Sequence, residues 1–74
     1  MKRDATAMGI AQIVRSKREA LGLSQEAFAD EIGMHRTYYG AIERGERNMT
    51  MRILFKVSAG LRVKPSTVLK DAGF

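Results

Sequence analysis

Gln25-Glu26-Ala27-Phe28-Ala29-Asp30-Glu31-Ile32-Gly33-Met34-His35-Arg36-Thr37-Tyr38-Tyr39-Gly40-Ala41-Ile42-Glu43-Arg44 is the stretch that decides the fold of this 74-residue chain. Ser24 stands before it as a hydroxyl N-cap, Glu26 puts an acid in the first turn, and Phe28 and Ile32 repeat at i and i+4, which together predict a helix up to Ile32. Gly33 supplies the backbone freedom for a sharp stop. One or two residues later a helical pattern resumes near His35, with Tyr39, Ile42 and Glu43 on one side, and it ends at Gly45. Each helix is too short to bury its apolar side alone, so the pair must pack together, with Ala29 as the small residue at their crossing.

Outward from this pair, the chain continues in helices. From Ala5 to Leu21, the residues Ile10, Ile13, Val14 and Leu21 recur at helical spacings without an intervening Pro, and Gly22 closes the segment. Downstream, Thr50 caps a fourth helix whose apolar stripe reads Met51, Leu54, Val57, Leu61. Pro65 opens a fifth, with Val68 and Leu69 turned inward and Gly73 near its end. Nothing reads as strand, because alternation never lasts beyond Leu61-Arg62-Val63-Lys64. The expected fold is all-α and five-helical, with residues 1–4 as a flexible polar arm and residues 5–74 as one domain.

Composition narrows the function classes. A chain this short has one core at most. With 45% hydrophobic and 28% charged residues it reads as a folded globular protein rather than a disordered one. Without cysteine it has no disulfide or thiolate metal site, which points to a cytoplasmic home. Its apolar runs are far shorter than the roughly 20 residues that cross a bilayer, and no helix pairs a basic face with a bulky aromatic one, so no membrane partner is expected. Thirteen Lys and Arg against eight Asp and Glu, a net charge of +5, favour a polyanionic partner such as nucleic acid.

The third helix carries the chemistry. Opposite Tyr39 and Ile42 lie Arg36, Thr37, Gly40, Ala41 and Arg44, so a guanidinium and a hydroxyl lead a nearly bare face. Such a face alone is also an ordinary solvated surface. Following a tight turn, however, it suits the major groove of DNA, where Arg bonds guanine O6 and N7 in a bidentate pair and Thr offers a hydroxyl and a methyl to base edges. Ser24 and Gln25, at the start of the second helix, are placed to meet phosphate through free backbone N–H groups, and Tyr38, Arg44, Arg47 and Asn48 are candidates to clamp the sugar–phosphate backbone. Arg18 falls on the apolar face of the first helix and there needs a carboxylate, for which Glu43 is the candidate; the alternative is an Arg18 that snorkels to water.

Gln25-x-x-x-Ala29-x-x-x-Gly33 followed by Ile42-Glu43-x-Gly45 resembles the lambda-repressor-like, or Cro and XRE, helix-turn-helix family, from about Ile10 to Leu69. Within it, His35-Arg36-Thr37-Tyr38 and Ile42-Glu43-Arg44-Gly45-Glu46-Arg47-Asn48-Met49-Thr50 resemble the controller proteins of restriction–modification systems, small homodimers that activate or repress their own operon. The resemblance implies a five-helix domain that binds operator DNA, with Arg36 and Thr37 on bases, Gln25, Tyr38, Arg47 and Asn48 on phosphates, and Arg18 with Glu43 as a structural ion pair. The expected partners are double-stranded DNA, a second copy of the chain and RNA polymerase, in the cytoplasm on the nucleoid, with no cofactor, metal or small-molecule substrate. Two positions depart from the pattern: Tyr39 replaces a smaller aliphatic residue, and Ile53 a residue that is often polar in controllers. A module this small reads only a few base pairs, so two copies on half-sites about one helical turn apart are expected. Phe55, off the core stripe, and Val68, Leu69 and Phe74 are the candidate dimer interface, unless they finish the monomer core instead.

Two other classes compete. An enzyme lacks support, since there is a single His, no cysteine, no Gly-rich phosphate loop and no paired carboxylates on an evident pocket wall. A protein-interaction module, such as an antitoxin of the same fold, usually carries an extra segment for its partner, and here few residues flank the helices.

Overall fold

Five helices in chain order make up the computed structural model, which describes residues 5–74. The arm expected at residues 1–4 lies outside the described residues. The helices are α1 (Ala5–Ala20), α2 (Gln25–Glu31), α3 (Arg36–Glu43), α4 (Met51–Leu61) and α5 (Pro65–Asp71), and no strand occurs among the described residues. The fold is all-α.

Local chemistry starts and stops each of the short helices. Ser24 Oγ accepts the Ala27 N–H at 3.1 Å, His35 Nδ1 accepts the Thr37 N–H at 3.2 Å, and Thr50 Oγ1 accepts the Ile53 N–H at 3.2 Å, so α2, α3 and α4 each begin on a side-chain acceptor. Lys64 caps α5 without a side-chain hydrogen bond, and Pro65, with no N–H to satisfy, opens it. Between α2 and α3, Gly33 takes φ 67° while the Met34 N–H reaches back to the Ala29 carbonyl at 2.8 Å. That left-handed residue turns the chain within a few positions.

Packing then aims α3. α1 packs against α3, α4 and α5, and α2 packs on α3. Val14, Phe28, Ala29, Tyr39, Ile42, Val57 and Val68 have almost no exposed surface, and the Phe28 and Tyr39 rings meet at 5.1 Å between centroids. At the α2–α4 contact, a Cβ on Gly60 would overlap Ile32 Cγ2 and come within 3.0 Å of Phe28 Cζ. Only bare backbone allows this approach.

Two expectations from the sequence are corrected, and for Val68, left open between a dimer interface and the monomer core, the interface is ruled out. Met51 is 66% exposed, because it stands in the first turn of α4 at one edge of the apolar stripe, and Ser58 takes the inward place beside Leu54, Val57 and Leu61. Leu21 follows the last residue of α1, where the chain has begun to turn, and is also exposed. Val68 is fully buried, because α5 closes against α1 and α4; it belongs to the monomer core and presents nothing to a partner. Leu69 is half-buried against the same core, whereas Phe55 and Phe74 are exposed.

Candidate nucleic-acid interface

The orientation of α3 is held from inside by one carboxylate. Glu43, in its last turn, accepts Arg18 Nε on Oε2 at 2.7 Å and Arg18 Nη2 on Oε1 at 3.0 Å, a two-pronged ion pair between α1 and α3. Gln25 Nε2, at the start of α2, donates to Glu43 Oε1 at 2.9 Å, and the Tyr39 hydroxyl donates to Oε2. Each oxygen thus has two donors, which fills the acceptor capacity of a carboxylate. Arg18 Nη1 also donates to the Leu23 carbonyl at 2.6 Å, in the link before α2. One ion pair therefore joins α1, the α1–α2 link, α2 and α3.

The electrostatics follow from that packing. Burial works to raise the pKa of Glu43, but the hydrogen bonds from Arg18, Tyr39 and Gln25 outweigh it and hold the carboxyl below its ordinary range. Arg18 is held still more firmly protonated, by its hydrogen bond to Glu43 against the opposing effect of burial. Burial, then the adjacent Glu43, push the Tyr39 phenol well above its ordinary range, so it remains a donor.

The outer face of the same unit is a hollow of about 460 Å³ lined by Ser24, Gln25, Glu26, Arg36, Thr37, Gly40 and Arg44. Arg36 and Thr37 are exposed at the leading end of α3, where His35 caps the helix. Arg36 Nη1 lies 2.7 Å from Glu26 Oε2 on α2. Arg44 Nε pairs with Glu46 at 3.1 Å, and Arg44 Nη1 lies over Gly40, 3.1 Å from where a Cβ would stand. Gly40 itself is buried beneath that guanidinium and the Gln25 amide oxygen rather than bare to solvent, which corrects its expected place on an open face.

Of the residues expected to face the DNA backbone, Ser24, Gln25 and Arg44 thus share a wall with Arg36 and Thr37. Gln25 is half-buried, has one amide hydrogen engaged with Glu43, and sets its amide oxygen beside Gly40 in the lining of the hollow. Arg47 and Asn48 line a second hollow of about 310 Å³ with Thr6, Ala7, Ile10, Ile42 and Met49. The Arg47 guanidinium lies over the half-buried Tyr38 ring, 5.2 Å from its centroid.

Two features, one at the site and one in the core behind it, are not evident from the sequence alone. Glu26 reads from the sequence only as an acid in a first turn, since its partner Arg36 is ten positions away across a turn. Gly60 leaves only a general signal, an isolated glycine inside a helical pattern, which marks a close approach.

The chain matches the helix-turn-helix family over residues 14–68. It is 42% identical over 60 residues to the control protein C.MunI of a Mycoplasma species, covering 81% of each chain. It is 41% identical over 64 residues to the control protein C.SmaI of Serratia marcescens, covering 86% of this chain and 76% of the relative. Its fold matches the crystal structure of the restriction–modification controller protein C.AhdI from Aeromonas hydrophila with a TM-score of 0.84 at 35% identity, covering 88% of this chain and 98% of that one. With the family pattern spanning most of its length and relatives above 40% identity aligned over most of theirs, the chain belongs to the Cro/XRE-type helix-turn-helix family.

Proposed function

We propose that this protein is a sequence-specific DNA-binding transcription regulator, and that it controls a restriction–modification operon. The observation that carries the reading is the hollow in which an exposed guanidinium and hydroxyl, Arg36 and Thr37, stand at the tip of a helix beside the N-terminus of α2. α3 enters the major groove, Arg36 bonds a guanine edge, and Thr37 reads a neighbouring base. Ser24, Gln25, Tyr38, Arg44, Arg47 and Asn48 meet the sugar–phosphate backbone and set the register. The net charge of +5 draws the protein to DNA before any base is read.

A single copy covers only a few base pairs, so two copies bind half-sites centred about 34–36 Å apart. Phe55, Leu69 and Phe74 are the residues left to form the contact between them. The role in an operon rests on the restriction–modification controllers among the relatives, and a regulator at a promoter meets RNA polymerase as its further partner, on the nucleoid in the cytoplasm.

Selection of bound sites from a random DNA pool, with the mass of the complex measured alongside, tests the reading. A palindromic or tandem site carrying two chains is the expected result. Recovery of no enriched sequence would leave a protein-interaction module of the same fold as the better account.

A further inference from the structure

We propose that Glu26 is a positioning residue for base recognition: its carboxylate holds the Arg36 guanidinium in the orientation that selects guanine and keeps it off phosphate. The proposal rests on the reading of Arg36 as a base-contacting residue.

The contact joins two elements. Glu26 lies in the first turn of α2 and Arg36 in the first turn of α3, and Glu26 Oε2 accepts from Arg36 Nη1 at 2.7 Å. An acid in a first turn has an ordinary explanation, attraction to the helix dipole, but that calls for no partner on the next helix. The gain in fold stability is also small: the side chains are 56% and 69% exposed, and exposed pairs contribute little in water. Neither effect accounts for a negative charge set among the groups that must face a polyanion.

Recognition does. A guanidinium carries five N–H groups in one plane, and the contact to Glu26 engages Nη1 alone. The other donors are left for guanine O6 and N7, which require two N–H groups in a fixed direction. A long, unrestrained Arg would lose rotamer freedom on binding and would turn to any phosphate in reach. Tied to Glu26, it is already ordered and partly neutralised, so phosphate alone attracts it less. When DNA closes the hollow and water leaves, the local dielectric falls and the hold strengthens at the moment it is needed. The carboxylate has no N–H to offer guanine, so it acts through Arg36 and not on the base.

The test compares the parent with Glu26→Ala, Glu26→Gln, Arg36→Ala and the Glu26→Ala/Arg36→Ala double variant. Each is titrated, at one salt concentration, with the duplex recovered from the random pool, the same duplex with the Arg36-dependent guanine replaced, and a scrambled duplex. Glu26→Ala is expected to bind the scrambled duplex more tightly than the parent does and to lose roughly fivefold or more of the guanine preference, the scale of one bidentate pair. Glu26→Gln, which keeps an acceptor oxygen without the charge, retains more of that preference. In the Arg36→Ala background, removing Glu26 leaves the preference unchanged, and the Glu26 variants stay folded, with melting temperatures lowered only by the small loss expected of an exposed pair. A Glu26→Ala protein with the parent's guanine preference, or with selected-site binding improved beyond scrambled-site binding, would overturn the proposal while Arg36→Ala still shows the base contact. If Arg36→Ala itself keeps the preference, the base-contact reading fails and the proposal with it.

Discussion

Two arginine–glutamate pairs in this protein have the same 2.7 Å separation and opposite surroundings. In the Arg18–Glu43 pair the side chains are 8% and 1% exposed; in the Arg36–Glu26 pair they are 69% and 56% exposed. The first pair has lost nearly all its water and is held by partners within the protein: the Leu23 carbonyl accepts from Arg18, and Gln25 and Tyr39 donate to Glu43. The second keeps its water and contributes little to folding. Surroundings, not separation, decide what an ion pair does: the inner pair sets the angle of α3, and the outer pair leaves its arginine available.

The largest effect should come from breaking the inner pair. Glu43→Ala leaves a buried Arg18 without a counter-charge, at a cost of about 3–5 kcal/mol in stability, read from denaturant unfolding. A melting temperature equal to the parent's would show that the pair holds nothing. The same pair should respond to acid. Because the folded-state pKa of Glu43 lies below the ordinary carboxylate value, its contribution is fully present above that value and is lost as the pH falls through the depressed one. Unfolding curves at descending pH should therefore show an acid limb that is shallower in Glu43→Gln.

A smaller effect isolates one donor within the network. Tyr39→Phe keeps the ring against Phe28 but removes the hydroxyl from Glu43, which should cost about 1.5–3 kcal/mol, the range for hydrogen bonds to charged groups. Equal stability would mean that the remaining donors satisfy Glu43 unaided. On the outer side, Arg47→Ala should leave stability intact and reduce the salt dependence of DNA binding by about one unit of slope, equally for all sequences. An unchanged slope removes Arg47 from the phosphate contacts. The smallest effect is Glu26→Ala on folding, about 0.2–1 kcal/mol; a loss as large as that of Glu43→Ala would erase the distinction between the two pairs.

Much of the fold was legible in local signals. Ser24 and Thr50 mark helix starts by side-chain caps, Pro65 by its missing N–H, and Gly33 and Gly45 mark stops by φ values that few other residues adopt, so helix bounds followed from neighbouring residues alone. The exposure of Arg36 and Thr37 was legible too, because helical spacing sets them opposite Tyr39 and Ile42. Met51 and Leu21 were misplaced because an apolar stripe shows which side of a helix is inward, but not how far along the helix its neighbours extend.

What the sequence determined by itself was the set of helices, the turn between α2 and α3, and the sidedness of α3, all consequences of interactions spanning a few residues. What only the tertiary structure decided was the further partnership: that Gln25 and Tyr39 join Arg18, the partner expected from the sequence, on Glu43, that Glu26 meets Arg36, and that Val68 is wholly enclosed in the core and not shared with an interface. These contacts join groups brought together by the mutual angles of the helices, and those angles depend on side-chain volumes packing at once, down to the missing Cβ of Gly60.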